Sequence, residues 1–304
     1  MERLISILID IGEQGLIYAV LVLGILISYK ILNIPDLTID GSFPLGAAVT
    51  AVLLTRGWNP WLALLMSLLA GLMAGLVTGL LNVKLKISYL LSGMVVMTML
   101  YSINLVIVGR SNLPLFDMKT IFNSGLASII PETVGPFRLR TLVVSFAIVM
   151  VVMLFLNFYL KSRQGLLLRS SGSNQQVVIS VARDPGMVRV IGFMMGNALV
   201  ALSGGILAQQ QGFFELSMGT GQMVSGIASL MIGTIVCRKL PFIRSTGEAI
   251  IGSLLYKAMI TVAINLGLPA NFLKLAQGLL FLFILFGSNL LDKEARHATA
   301  STRE

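Results

Sequence analysis

The 304-residue chain is 56% hydrophobic and only 12% charged, with a mean hydropathy of +0.90, whereas an average soluble domain is about 25% charged. So few charges cannot cover the surface of a water-soluble fold of this length, and the composition points to an all-α, polytopic integral membrane protein. The net charge of +9 sits at the ends of apolar runs rather than in one patch, which argues against nucleic acid as a partner, and one cysteine (Cys237) and one histidine (His297) leave no internal disulfide and no histidine-based metal or catalytic site.

The first ten residues form a short amphipathic stretch carrying Glu2, Arg3 and Asp10, without a cleavable signal. A spanning helix needs about 20 apolar residues to cross about 30 Å of hydrocarbon. About nine transmembrane helices (eight to ten) are therefore expected, near 14–33, 43–55, 61–83, 87–108, 141–160, 187–208, 222–237, 247–265 and 271–290. The second and seventh are short. Short, glycine-interrupted spans are expected beside a transport pathway, where irregular backbone is tolerated; boundaries misplaced by a few residues would look the same. In the third span Gly71, Gly75 and Gly79 fall on one helical face, a groove that lets another backbone come close.

Two loops are long: 109–140, with Pro114, Pro131 and Pro136, and 161–186. If the N-terminus lies outside and the spans alternate, the second of these loops is cytoplasmic. The inner segments then hold Lys84, Lys86, Lys161, Arg163, Arg169, Arg183, Arg189, Arg238, Lys239 and Arg244, with Lys293, Arg296 and Arg303 in a cytoplasmic C-terminal tail. Fewer basic residues remain outside, as the positive-inside bias requires. Trp58 and Trp61 then lie at the outer interface.

Within 161–186, Ser173 and Gln176 have capping-box spacing, which predicts a short helix with Val177, Val178 and Val181 on one face. Asp184 and Pro185 suit the N-cap and first turn of the next span. A helix this short is marginal in water and calls for a partner surface.

The order Arg169, two small residues, Gly172, Ser173 and Asn174, followed after a variable helix by Arg183, Asp184, Pro185 and Gly186, resembles the inner loop of the branched-chain amino acid and ribose type permeases of ABC transporters. The run Asp36-Leu-Thr-Ile-Asp40-Gly41-Ser-Phe-Pro-Leu-Gly46 is similar to one branch of that family, labelled tryptophan/tyrosine transport permeases. Asn197 through Phe213, Gly226 through Gly233 and Gly252 through Tyr256 are similar to it as well. The resemblance covers about 16–286. It departs at Thr234, where that branch usually carries glutamate.

The resemblance implies a single permease domain over 1–304 with a type II-like ABC importer fold. It implies that 161–186 carries a helix that couples to an ATPase subunit, through Arg169, Gly172, Ser173, Asn174, Arg183, Asp184 and Gly186. The implied partners are an ATPase dimer, a second permease chain, identical or paralogous, and an extracytoplasmic substrate-binding protein seated on 109–140. The chain has no Gly-x-x-x-x-Gly-Lys-[Ser/Thr] run, so ATP and Mg are expected on the partner ATPase and no cofactor on this chain. The implied setting is a prokaryotic cytoplasmic membrane and the implied cargo an amino acid, with an aromatic one as the narrower reading, while sugars and nucleosides are carried by related permeases.

Charged and polar groups in or beside the spans give the candidate pathway: Asp36, Asp40, Asn197, Gln209, Glu215 and Lys257. Asp36 and Asp40 could equally cap the start of the second span, and Lys257 could snorkel or pair with a carboxylate. An ion-coupled secondary transporter is the rival reading, but it wants midplane carboxylates and inverted repeats that the sequence does not display. A membrane enzyme wants clustered His, Asp or Ser/Lys residues, and these are missing too.

Overall fold

The computed structural model describes residues 2–124, 139–173, 175–180, 184–240, 242–267, 269, 272 and 274–287. In lipid, backbone polar groups must be satisfied within the segment, and the apolar runs are accordingly helical. Helix α1 (Glu2–Ile25) continues through one π-helical turn, Leu26–Ile31. It is followed by α2 (Ile39–Thr55), α3 (Pro60–Val83), α4 (Tyr89–Val108) and α5 (Leu139–Lys161). Two short helices, α6 (Arg163–Ser173) and α7 (Gln175–Ser180), precede α8 (Pro185–Gln211), α9 (Gln222–Val236) and α10 (Ser245–Asn265). A last apolar helix, α11, covers Lys274–Gly287.

Among the described residues seven stretches are long and apolar enough to cross a membrane: Ile7–Ile31, Pro60–Val83, Tyr89–Val108, Leu139–Lys161, Pro185–Gln211, Leu216–Val236 and Ser245–Asn265. The helices Ile39–Thr55 and Lys274–Gly287 are apolar but shorter, so seven of the nine expected spans have the length of a crossing. Helix α9 reaches that length only together with the 3-10 turn Leu216–Gly219 before it.

Helix α8 is the hub, lying against α1, α2 and α3. The middle of α1 is apolar all round, and Leu21, Val22, Leu23, Ile25, Leu26 and Ile27 are completely buried, as expected of a helix at the centre of a membrane bundle. By contrast, Leu65, Leu69 and Met73 on α3 and Val151, Phe155 and Phe158 on α5 stay exposed. An apolar outer face of this kind is stable only against lipid or another apolar surface.

Gly71, Gly75 and Gly79 all face α8. A Cβ on Gly71 would lie 2.3 Å from the Asn197 carbonyl oxygen, and one on Gly75 would lie 2.2 Å from that of Phe193. A Cβ on Gly79 would lie 2.9 Å from the Val190 Cα. Only hydrogen fits at that separation, and the two helices meet backbone to backbone.

At one end of the bundle Asn112–Pro114 (β1) pairs antiparallel with Phe213–Glu215 (β2). Leu113, Leu115 and Phe214 are buried beneath this ribbon. The expected loop 109–140 is therefore anchored at its start; residues 125–138 lie outside the described set. At the other end, α6 and α7 replace the single helix expected in 161–186.

Candidate translocation and coupling sites

The linker between α1 and α2 holds a buried polar relay. Asp36 Oδ1 accepts the Thr38 amide at 2.9 Å, and Asp36 Oδ2 accepts from Asn197 Nδ2 at 2.7 Å. Asn197 Oδ1 in turn accepts the Ser42 hydroxyl at 2.7 Å, and Asn197 Nδ2 also donates to the Phe193 carbonyl at 3.0 Å. The Thr38 and Thr78 hydroxyls meet at 2.8 Å. All five side chains are almost fully excluded from solvent. Every polar atom of the Asp36 carboxylate and of the Asn197 amide has a partner, so the relay fixes where α2 starts relative to α3 and α8.

Asp40 has another function. It stands in the first turn of α2, yet its carboxylate accepts the backbone N–H groups of Gly221 at 3.0 Å and Met223 at 2.8 Å. It caps α9, whose own N-cap residue is Gly221 and supplies no side chain. Of the two caps expected at the second span, Asp36 serves the turn at Thr38 and Asp40 serves a different helix.

The remaining pathway candidates are dispersed. Gln209 is buried near the ribbon, where Oε1 accepts the Ile121 amide at 2.9 Å and Nε2 donates to the Pro60 carbonyl at 3.5 Å. Glu215 is exposed on β2 and accepts the Ser217 hydroxyl at 2.5 Å. Lys257 finds an aromatic face rather than a carboxylate, its Nζ lying 3.2 Å from the centroid of the Tyr18 ring.

A second cluster escaped the sequence reading. Lys30, on the π turn of α1, forms an ion pair with Glu248 in the first turn of α10. Thr234, near the end of α9, accepts from Lys30 Nζ at 3.1 Å and donates to Glu248 Oε2 at 3.2 Å. The position that carries glutamate in the resembling branch here holds a hydroxyl, and the carboxylate comes from α10 instead. The available signal was a lone lysine inside an apolar span, which demands a partner.

The loop 161–186 is built onto this same end of the bundle. Helix α6 turns back on α5 at Gly165, and its Leu168 is completely buried in the main core. A Cβ on Gly172 would lie 2.0 Å from the Ile31 carbonyl oxygen, so α6 rests directly on the π turn of α1. Ser173 closes α6: its hydroxyl donates to the carbonyls of Arg169 at 3.2 Å and Ser170 at 3.5 Å. Ser173 is itself helical, at the end of α6, and its hydroxyl bonds backward. Val178 is buried, and Val177 and Val181 lie outside the described side chains, as do Asn174 and Arg183. Arg169 and Ser173 are exposed, as are Leu166 (55%) and Ile179 (60%).

Asp184 caps α8, accepting the Gly186 amide at 2.8 Å with Pro185 in the first helical position. A Cβ on Gly186 would lie 2.5 Å from Val83 on α3. Among the described residues no three His, Cys, Asp or Glu side chains are grouped to hold a metal ion.

A multi-pass helical bundle with a π turn in its central helix and a buried polar linker has the build of a membrane transport subunit. The model of the family described as "Branched-chain amino acid transport system / permease component" matches residues 7–285, and the chain belongs to that family. It is 41% identical to the "Tyrosine transport system permease protein" of Clostridioides difficile, over 93% of this chain and 92% of that one. It is 33% identical to an uncharacterized protein of Rickettsia prowazekii, over 93% and 98% of the two chains. Identity to the "Nucleoside ABC transporter permease protein NupC" of Lactococcus lactis is 25%, over 83% of each chain. No solved structure matches.

Proposed function

We propose that this permease is the membrane-spanning half of an ATP-driven importer for an amino acid, with tyrosine the leading candidate. The relative named for tyrosine transport supports the substrate class. One observation carries the coupling role: α6 is wedged against the π turn of α1 while α6 and α7 present Leu166, Arg169 and Ile179 outward. An exposed apolar pair on short helices is the surface that a partner would cover.

In this reading an ATPase dimer holding ATP and Mg grips α6 and α7 from the cytoplasm. A second permease chain, identical or paralogous, completes the pathway. A substrate-binding protein delivers cargo from outside, onto the 109–140 loop. The N-terminus lies outside and the C-terminal tail in the cytoplasm of a prokaryotic cell, bounded by the cytoplasmic membrane. Closure of the ATPases moves α6, the Gly172–Ile31 contact passes that motion to the π turn, and the bundle alternates between two packings biased by nucleotide. Single π turns inside α-helices are found frequently at functional sites.

Co-purification tests the coupling surface. The wild-type chain should carry a P-loop ATPase through affinity purification, and Ile179→Glu should release it while membrane insertion persists. An Ile179→Glu chain that keeps a full complement of ATPase would remove α7 from the interface.

A further inference from the structure

A cavity of about 370 Å³ lies between α2, α4 and the segment that leads into α9. Small-molecule sites occupy about 300–1,000 Å³, so the volume admits a ligand of amino-acid size. Its walls combine apolar surface from Pro44, Met97 and Leu216 with the polar groups of Asp40, Asn104 and Thr220. Neither Lys, Arg nor His lines it.

The polar groups share one character. Asn104 is fully buried, and its Nδ2 donates to the Gly41 carbonyl at 3.3 Å. A carbonyl only accepts, so the amide cannot be turned over, and Oδ1 must be the atom left facing elsewhere. That Oδ1 is buried and has no hydrogen-bond partner. Leaving such an acceptor empty costs about 1–3 kcal/mol, and buried acceptors of this kind are otherwise filled. Asp40 brings a carboxylate whose two oxygens each accept one backbone N–H of α9. A carboxylate has about four acceptor sites, so not all of them are taken. The Thr98 hydroxyl donates to the Met94 carbonyl at 2.8 Å and is left with its lone pairs. The cavity therefore offers acceptors and a negative charge, and it wants a donor that is cationic.

The mouth of the cavity is also polar. Thr98, Tyr101 and Ser102 lie on the exposed side of α4. Polar side chains within a membrane bundle face a water-filled route or another protein surface rather than lipid.

We infer that this cavity is a transit subsite that receives the protonated amine of the transported solute, with Asn104 Oδ1 and Asp40 as acceptors and Met97, Pro44 and Leu216 against its apolar body. The inference rests on the amino-acid reading above and adds the site within the permease. A carboxylate is excluded from the same position, because Asp40 already occupies the N-terminus of α9 that would attract it.

Cysteine protection on the purified permease tests this without ATPase or binding protein. Cys237→Ser removes the one native thiol and Ser102→Cys places a reporter on the cavity wall. Tyramine and tyrosine should slow maleimide labelling of that thiol, whereas 3-(4-hydroxyphenyl)propionate, which lacks the amine, should not. Asn104→Leu should raise the tyramine concentration needed for protection about tenfold or more, the loss expected for one hydrogen bond to a charged group. Equal protection by the amine and the acid, or none by either, would overturn the proposal. That contrast needs no change at position 104, so a poorly folding Asn104→Leu does not shield it. ATP-driven tyrosine uptake without amine-selective protection would sink the subsite and leave the importer reading standing; protection without ATP-driven uptake would do the reverse.

Discussion

The Lys30 ammonium, on the π turn that ends α1, is paired with the Glu248 carboxylate in the first turn of α10. The pair joins two helices more than two hundred residues apart in sequence at the end of the bundle where α6 rests on Ile31. Its side chains are 32% and 17% exposed, so solvent screens it only in part and each partner depends on the other for compensation.

A double-mutant cycle on Lys30→Met and Glu248→Gln should therefore show coupling of about 1 kcal/mol, with the double variant melting closer to wild type than either single one. Cys237 provides a second reading. Its thiol is buried near both charges, and burial, with the Glu248 carboxylate adding to it, holds its pKa above the ordinary range. Wild-type permease should resist alkylation at neutral pH, and Glu248→Gln should speed it, because it removes the charge that raises the thiol and lets the helix ends part. Additive melting shifts together with unchanged alkylation would show that the pair holds nothing together.

The relay through Asp36 and Asn197 gives a graded prediction. Asn197→Leu leaves a buried Asp36 oxygen without its donor and should cost about 3 kcal/mol. Ser42→Ala removes one outer hydrogen bond and should cost about 1 kcal/mol. Melting midpoints in one detergent rank the two; equal losses would contradict the relay.

Backbone contact between α3 and α8 predicts a positional contrast. Gly75→Leu forces a side chain into the Phe193 carbonyl and should reduce the yield of folded protein sharply. Gly278→Leu on α11, where nothing lies within 4 Å, should be tolerated. Size-exclusion profiles of the two variants check this.

Much of the bundle could be read from residue order. Hydrophobic length located the helices, the four-residue spacing of Gly71, Gly75 and Gly79 marked one side of α3, and Asp184-Pro185 marked the start of α8. The ribbon could not be read, because each strand has three residues and its partner lies about a hundred positions away, so no local alternation announces it. Helix α6 was hidden by Gly165 and three serines, which favour loops by propensity but are held helical by burial of Leu168. Asp36 and Asn197 were each noticed as polar residues among apolar ones. Their pairing was not, since only the fold brings residues 161 positions apart to 2.7 Å.

Uptake of labelled tyrosine into proteoliposomes that hold the permease with its ATPase and binding protein tests the central claim most directly. Accumulation should require ATP on the side bearing α6 and α7, and should stop when the ATPase is omitted. Accumulation by the permease alone on a proton or sodium gradient would contradict it.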